Sequence, residues 1–152
     1  METETNSQRI GYLLKRAQQA LRLAMDEVLR SIGLTTPQYA ALAILEESPG
    51  ISNAELARRA FVTPQTMHQI IFALERAGYV EREQHPHHGR IQQACLTAGG
   101  QVVLEQSHEV VDDVEQRLLA SLEAEEIPQL QSILQRCIAG LEANAGTTGI
   151  RS

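Results

Sequence analysis

Apolar residues recur at three- and four-residue spacing along most of this chain, and one region breaks the rhythm with two short extended runs. Ile10, Leu13, Leu14, Ala17, Leu21, Ala24, Val28 and Leu29 predict a helix over about Ser7 to Ile32, ended by Gly33. A second helix is predicted from Pro37, capped by Thr36, to about Glu47, with Pro49-Gly50 as its stop. A short helix follows over Asn53 to Phe61, with Ser52 as cap and Glu55 completing a capping-box pattern. Thr63 and Pro64 restart the helical pattern, which runs to about Ala77 and meets Gly78. Tyr79 to Gln84 and Arg90 to Leu96 read as two strands around a turn at His85 to Gly89, punctuated by Pro86 and Gly89. Two further helices are predicted over Thr97 to about Leu122 and about Glu125 to Ala143.

The order of the central elements is the informative part. Two short helices, a tight turn and a hairpin outline a mainly α winged helix-turn-helix, which places its second helix in the major groove of DNA. Along that second helix Met67, Ile70, Ile71 and Leu74 form one apolar stripe for the core. The opposite face carries Gln65, Thr66, His68, Gln69, Phe72 and Arg76. Amide and hydroxyl groups near a helix N-terminus reach base edges and phosphates together. Gln65, Thr66, His68 and Gln69 are therefore the candidates for base and groove contacts, and Thr63 and Arg76 for backbone contacts. Arg90, just past the hairpin tip, is the candidate for a minor groove. An ordinary amphipathic helix with a solvated polar face has the same pattern, and only the hairpin that follows separates the two readings.

The stretch Gly33 to Gly100 also resembles a known family. Leu34-Thr35-Thr36-Pro37-Gln38-Tyr39, Ala54-Glu55-Leu56-Ala57 and Val62-Thr63-Pro64 are followed by Leu74-Glu75-Arg76-Ala77-Gly78-Tyr79-Val80, Gly89-Arg90 and Leu96-Thr97-Ala98-Gly99-Gly100. In order and spacing these are similar to the multiple-antibiotic-resistance regulators, the MarR family of bacterial transcription factors. The flanking helices fit as well. The resemblance implies a homodimer that binds a pseudo-palindromic double-stranded DNA operator and releases it when a small molecule binds. Two positions depart from it. The family's wing often reads Asp, any residue, Arg, whereas this chain has His88-Gly89-Arg90, without the carboxylate that would aim the arginine. The second helix often carries a charged pair where this chain has Phe72-Ala73.

On this reading residues 1–152 form a single domain, with 34–97 as the DNA-binding portion and 7–33 and 98–143 as dimerisation helices. Ile127, Leu130, Leu134, Cys137 and Leu141 give the last helix a stripe suited to a second copy. Packing within one chain is the competing explanation. The chain's 152 residues suffice for a real core, and its 3% aromatic content and lack of Trp make that core aliphatic. The net charge of −6 looks wrong for a partner of DNA. Residues 52–92, however, hold five arginines against four glutamates, a local balance of +1, while the rest carries −7. A weak local field predicts low non-specific affinity and salt-sensitive binding. No apolar run approaches the ~20 residues that span a bilayer, and the polar, acidic N-terminus does not read as a signal peptide. A cytoplasmic location is the expectation.

Other chemistry is weaker. His85, His87 and His88 crowd the hairpin tip, but adjacent positions there splay apart and make a poor metal site, and no metal or cofactor is expected. Near phosphate these imidazoles would gain protons, so DNA affinity should rise as pH falls through ~6.5. Cys95 and Cys137 read as small hydrophobes rather than a bridge. For an effector, the resemblance points to the junction of the outer helices and the winged module. There Tyr12, Arg16 and Tyr39 are candidates to hold a small aromatic or phenolic anion. No phosphate-cradling glycine loop or nucleophile motif is present, which argues against an enzyme. The rival function is a winged helix that binds protein and has lost its grip on DNA.

Overall fold

A computed structural model describes residues 5–85 and 87–145; the side chains of residues 85 and 88–92 fall outside that description. After a single 3-10 turn at Asn6–Gln8, the elements are α1 (Ile10–Arg30), α2 (Thr36–Glu47), α3 (Asn53–Arg59), α4 (Pro64–Arg76), β1 (Val80–His85), β2 (His88–Leu96), α5 (Ala98–Leu119) and α6 (Glu126–Ala145). The chain divides into two compact units, Met1–Val114 and Glu115–Ser152.

The first unit is built around an aliphatic core to which every one of its main elements contributes. Leu29 of α1, Leu42 of α2, Leu56 of α3, Met67 and Leu74 of α4, Val80 of β1 and Leu104 of α5 are all buried in it. Tyr39 and Tyr79 lie only at its margin. Each buried aliphatic side chain contributes ~1.5–3 kcal/mol relative to exposure, so the core fixes how α3 and α4 sit against α2. The second unit contains α6, a helix of 20 residues with no buried residue. Leu130, Ile133, Leu134, Ile138 and Leu141 all stand exposed along it.

Local chemistry sets the boundaries, and it shifts several expected ones. α2 begins at Thr36 because Thr35, not Thr36, is the cap. The Thr35 hydroxyl accepts from the Gln38 N–H at 3.3 Å, and the Thr35 N–H donates to Gln38 Oε1 at 3.0 Å, a complete capping box. Thr36 is thereby free to donate its hydroxyl to the Asp26 carboxylate on α1. At α3 the box is only half made. Ser52 accepts from the Glu55 N–H at 3.2 Å, but the Glu55 carboxylate turns to Arg58, whose Nε lies 2.9 Å away. α3 also stops at Arg59 rather than Phe61. Phe61 takes the left-handed conformation (φ 57°), and the Val62 N–H then closes back on the Ala57 carbonyl at 3.0 Å. That stop usually belongs to glycine. α1 starts late because Arg9 is extended, with ψ 134°. β2 starts early, because His85 pairs with His88 after a bulge at Gln84/His85. The expected turn at His85 to Gly89 is therefore too long, since His85 and His88 already belong to the strands; Pro86 lies outside the described residues.

The return from the hairpin is tied to the end of α4. Gly78 (φ 80°) ends α4, the Thr97 N–H donates to the Tyr79 carbonyl at 3.1 Å, and the Thr97 hydroxyl donates to the Gly78 carbonyl. The Thr97 hydroxyl also accepts from the Gly100 N–H at 3.0 Å, starting α5. A methyl group on Gly100 would lie 2.0 Å from the Tyr79 carbonyl oxygen. Backbone meets backbone here, so Gly100→Ala should cost about 1–3 kcal/mol, the usual penalty of overpacking. Urea unfolding would read it, and an unchanged midpoint would show that the approach is not tight.

Hydrogen bonding from Thr36, with help from Arg22, holds the Asp26 carboxyl below the usual carboxylate range. A depressed folded-state value means that the stabilising contribution is present above about pH 4 and is lost as pH falls through the folded value. Thr36→Val should therefore make the acid decline in stability shallower in melts taken across pH. Parallel curves for the two proteins would count against this account.

Candidate nucleic-acid interface

Burial along α4 fixes its rotation. Met67, Ile71 and Leu74 are almost fully enclosed and Ile70 nearly so. Gln65, Thr66, His68, Gln69, Phe72 and Arg76 are all exposed on the other side. The structure thus brings the expected groove-facing side chains onto one surface of one helix. The Asn53 amide on α3 donates to the Pro64 carbonyl at 3.2 Å, pinning the start of α4 to the preceding helix.

Thr63 has a local task as well. Its hydroxyl accepts from the Thr66 N–H at 3.1 Å and donates to the Thr66 hydroxyl at 3.0 Å. These bonds satisfy one of the orphan donors at the start of the helix. The capping role lies alongside the expected phosphate contact and uses the same oxygen.

The arginines sort themselves by partner. Arg58 pairs with Glu55 on its own helix, and Arg59 reaches Glu47 at 2.7 Å and the Ser48 hydroxyl at 2.8 Å. Hydrogen bonding from Arg58 holds the Glu55 carboxyl below its ordinary value. Arg82 on β1 bonds Glu75 near the end of α4 at 3.2 Å. Arg76 instead stands over the Phe72 ring, 5.9 Å from its centroid. Of the five arginines in 52–92, three are thus engaged by carboxylates. Composition could not show this, because two of the pairs join residues on different elements. Arg90 lies in β2 close to the hairpin tip, and its side chain falls outside the described residues.

The expected effector residues are not gathered in one pocket. Tyr12 and Arg16 lie exposed on α1. Tyr39 is engaged elsewhere: its hydroxyl is 3.0 Å from His108 Nδ1, the two rings meet edge to face, and His108 Nε2 lies 3.2 Å from Glu46. A groove of about 330 Å³ does open between α1, α2 and the α3–α4 turn. Gln18, Arg22 and Thr36 give it polar groups, and Leu21, Met25 and Phe61 give it apolar ones. Tyr12, Arg16 and Tyr39 are not among its lining residues. Arg22 lies on the polar side of the α1 pattern, a signal the sequence carries but does not distinguish from ordinary surface charge.

Cys95 is half-buried on β2, and burial, together with the Glu83 and Glu81 carboxylates, pushes its thiol up. A thiol held protonated is a poor nucleophile. Cys137 is exposed on α6. Among the described residues no group of three or more His, Cys, Asp and Glu side chains is placed to hold a metal ion, and no helix is long and apolar enough to cross a membrane. The side chains of His85 and His88 are outside that description.

A capped helix with a polar outer face, held by a shorter helix and followed by a two-stranded wing, defines a winged helix-turn-helix protein. A family model described as the MarR family matches residues 32–91. An HTH-type transcriptional repressor of Mycobacterium tuberculosis, Rv2887, is 39% identical over 127 residues, covering 84% of this chain and 91% of the repressor. Its crystal structure in complex with DNA superposes with a TM-score of 0.73 at 37% identity, covering 85% of this chain and 97% of the other. A structure of the same protein with salicylic acid gives a TM-score of 0.73 at 38% identity, over 87% and 98% of the two chains. Wild-type MarR from E. coli, in its apo form, gives 0.75 at 27% identity over 85% and 96%. The chain belongs to the MarR family of transcriptional regulators.

The capping role of Thr63 can be isolated by substitution. Thr63→Ala should lower stability by about 1 kcal/mol, within the usual range for a lost cap. Thr63→Asp, which also caps, should restore it. If both variants melt like the wild type, the hydroxyl does not hold the helix start.

Proposed function

We propose that this protein is a homodimeric transcriptional repressor that binds a pseudo-palindromic double-stranded DNA operator in the cytoplasm and releases it when a small aromatic or phenolic molecule binds. The observation that carries the reading is the surface of α4, where every side chain outside the apolar stripe at Gln65, Thr66, His68, Gln69 and Arg76 is open to a partner. In the proposal the first four of these meet base edges in the major groove, and Thr63 and Arg76 hold the DNA backbone. Arg90 enters the minor groove, and Arg76 carries phosphate attraction that Arg58, Arg59 and Arg82, held by carboxylates, do not.

Residues 34–97 act as the reading head, and segments 7–33 and 98–143 as the dimer-forming part. Exposed Ile10, Leu13 and Leu14 on α1, and the exposed apolar residues of α6, support that assignment. A two-fold dimer would set its two reading helices about 34 Å, or ~10 bp, apart. Rv2887, solved with DNA and with salicylic acid, supports both the DNA partner and the class of effector. The α1–α2 groove is the place for such an anion, because Arg22 and Thr36 bring polar anchors beside apolar walls. Tyr12 and Arg16 lie earlier along the same α1 helix. Binding worth ~1–3 kcal/mol of coupling would change DNA affinity about 5–150-fold.

Fluorescence anisotropy against the DNA upstream of the protein's own gene, with scrambled DNA as control and at two salt concentrations, tests the reading. Tight, salt-sensitive binding that prefers the genuine sequence is expected, and failure to bind any DNA at low salt would overturn it. Arg90→Ala should weaken binding by about tenfold or more. Unchanged affinity would remove the wing from the interface.

A further inference from the structure

We infer that Phe72 reads sequence, its ring packing against the 5-methyl group of a thymine in the major groove. The inference rests on the proposed reading of α4 as the DNA-facing helix. It starts from an inversion: the chain has two phenylalanines, and neither is inside. Phe61, 95% exposed, occupies the α3–α4 turn and lines the α1–α2 groove. Phe72, 57% exposed, has no such setting. It sits within a regular helix, away from any cap or turn.

Its position on the helix makes the exposure informative. At about 100° per residue, Phe72 points almost directly away from the Met67, Ile70, Ile71 and Leu74 stripe. It lies in line with Gln65, two turns earlier and about 10 Å along the axis. His68, Gln69, Glu75 and Arg76 are its neighbours at three and four residues, so nothing apolar on α4 covers it. Arg76 stands over one face of the ring at 5.9 Å, which restrains both side chains. The ring is therefore an apolar spot at the centre of a polar surface, not an overflow of the core.

The major groove has one apolar counterpart for such a spot. Adenine, guanine and cytosine present hydrogen-bonding groups there, and thymine alone adds a methyl group. An amide at Gln65 or Gln69 pairs with adenine, so an aromatic ring beside it completes recognition of an A·T step. A contact of this kind needs no charge, which suits a reading head whose net charge is close to zero.

The test uses the full chain and a duplex that the wild type enriches from a random pool. Each thymine of that duplex is replaced in turn by deoxyuridine, which removes only the methyl group. At one thymine or more, the swap should weaken wild-type binding about fourfold, the value of one buried methyl. Phe72→Ala should bind the thymine duplex at about the level the wild type shows for the uracil duplex, and should be insensitive to the swap. Its melting temperature should match the wild type, since an exposed ring is removed. Equal losses in the two proteins, or no sensitive thymine in the wild type, would overturn the inference and leave the DNA-binding reading standing. A wild type that enriches no sequence would overturn both.

Discussion

The burial of one stripe on α4 is the constraint on which the rest depends. Met67, Ile70, Ile71 and Leu74 can enter the aliphatic core in only one rotation of the helix. A turn of 100°, one residue's worth, would expose at least two of them at ~1.5–3 kcal/mol each. The direction of the outward face is therefore set from within, and the polar side chains on it need no bonds of their own to be aimed. This leaves them uncommitted, which a reading surface requires. The exceptions are Thr63 and Thr66, which bond each other to begin the helix, and, toward its other end, Arg76 over the Phe72 ring and Glu75 paired with Arg82.

A second constraint fixes where the wing leaves that helix. Gly78 turns the chain out of α4, and Thr97 and Gly100 bring it back against the Gly78 and Tyr79 carbonyls. Departure and return are thus bonded to the same two residues. The Arg82–Glu75 pair adds a lateral tie between β1 and α4, although an exposed pair of this kind is worth only ~0–1 kcal/mol. The base of the wing is firm, and with it the path that carries the chain toward Arg90.

Much of this was legible in the sequence because it follows from short-range rules. Thr63-Pro64 before a periodic stretch and Gly78 after it specify α4 almost to the residue, and the hairpin follows from Gly and Pro punctuation. The errors have particular causes. Two threonines stood at the start of α2, and only the reach of Gln38 back to the Thr35 N–H decides which one caps. Phe61 accepts a left-handed conformation that no rule assigns to phenylalanine, so the end of α3 was misplaced. Partners distant in sequence were out of reach altogether. Tyr39 bonds His108, 69 residues away, and does not line the α1–α2 groove. Side-chain identity predicts an aromatic-anion pocket easily, but which tyrosine faces the pocket depends on tertiary packing.

The two kinds of bonding in the first unit also bear on how a small molecule could act. α3 and α4 are joined to α2 through the core, which resists gradual deformation. Beyond the core contacts that Leu29 of α1 and Leu104 of α5 make, α2 has outer links that are polar and partly exposed: Asp26 to Thr36 toward α1, and Glu46 to His108 and Gln101 toward α5. Each is individually weak. A ligand in the α1–α2 groove that takes over Arg22 or Thr36 competes with Asp26 directly, because both side chains already bond that carboxylate. Only the polar edge between α1 and α2 would be loosened, while the core still holds α2, α3 and α4 together and keeps Leu29 of α1 against them. The consequence is a shift of an intact reading head relative to α1. No residue of α4 need change its conformation.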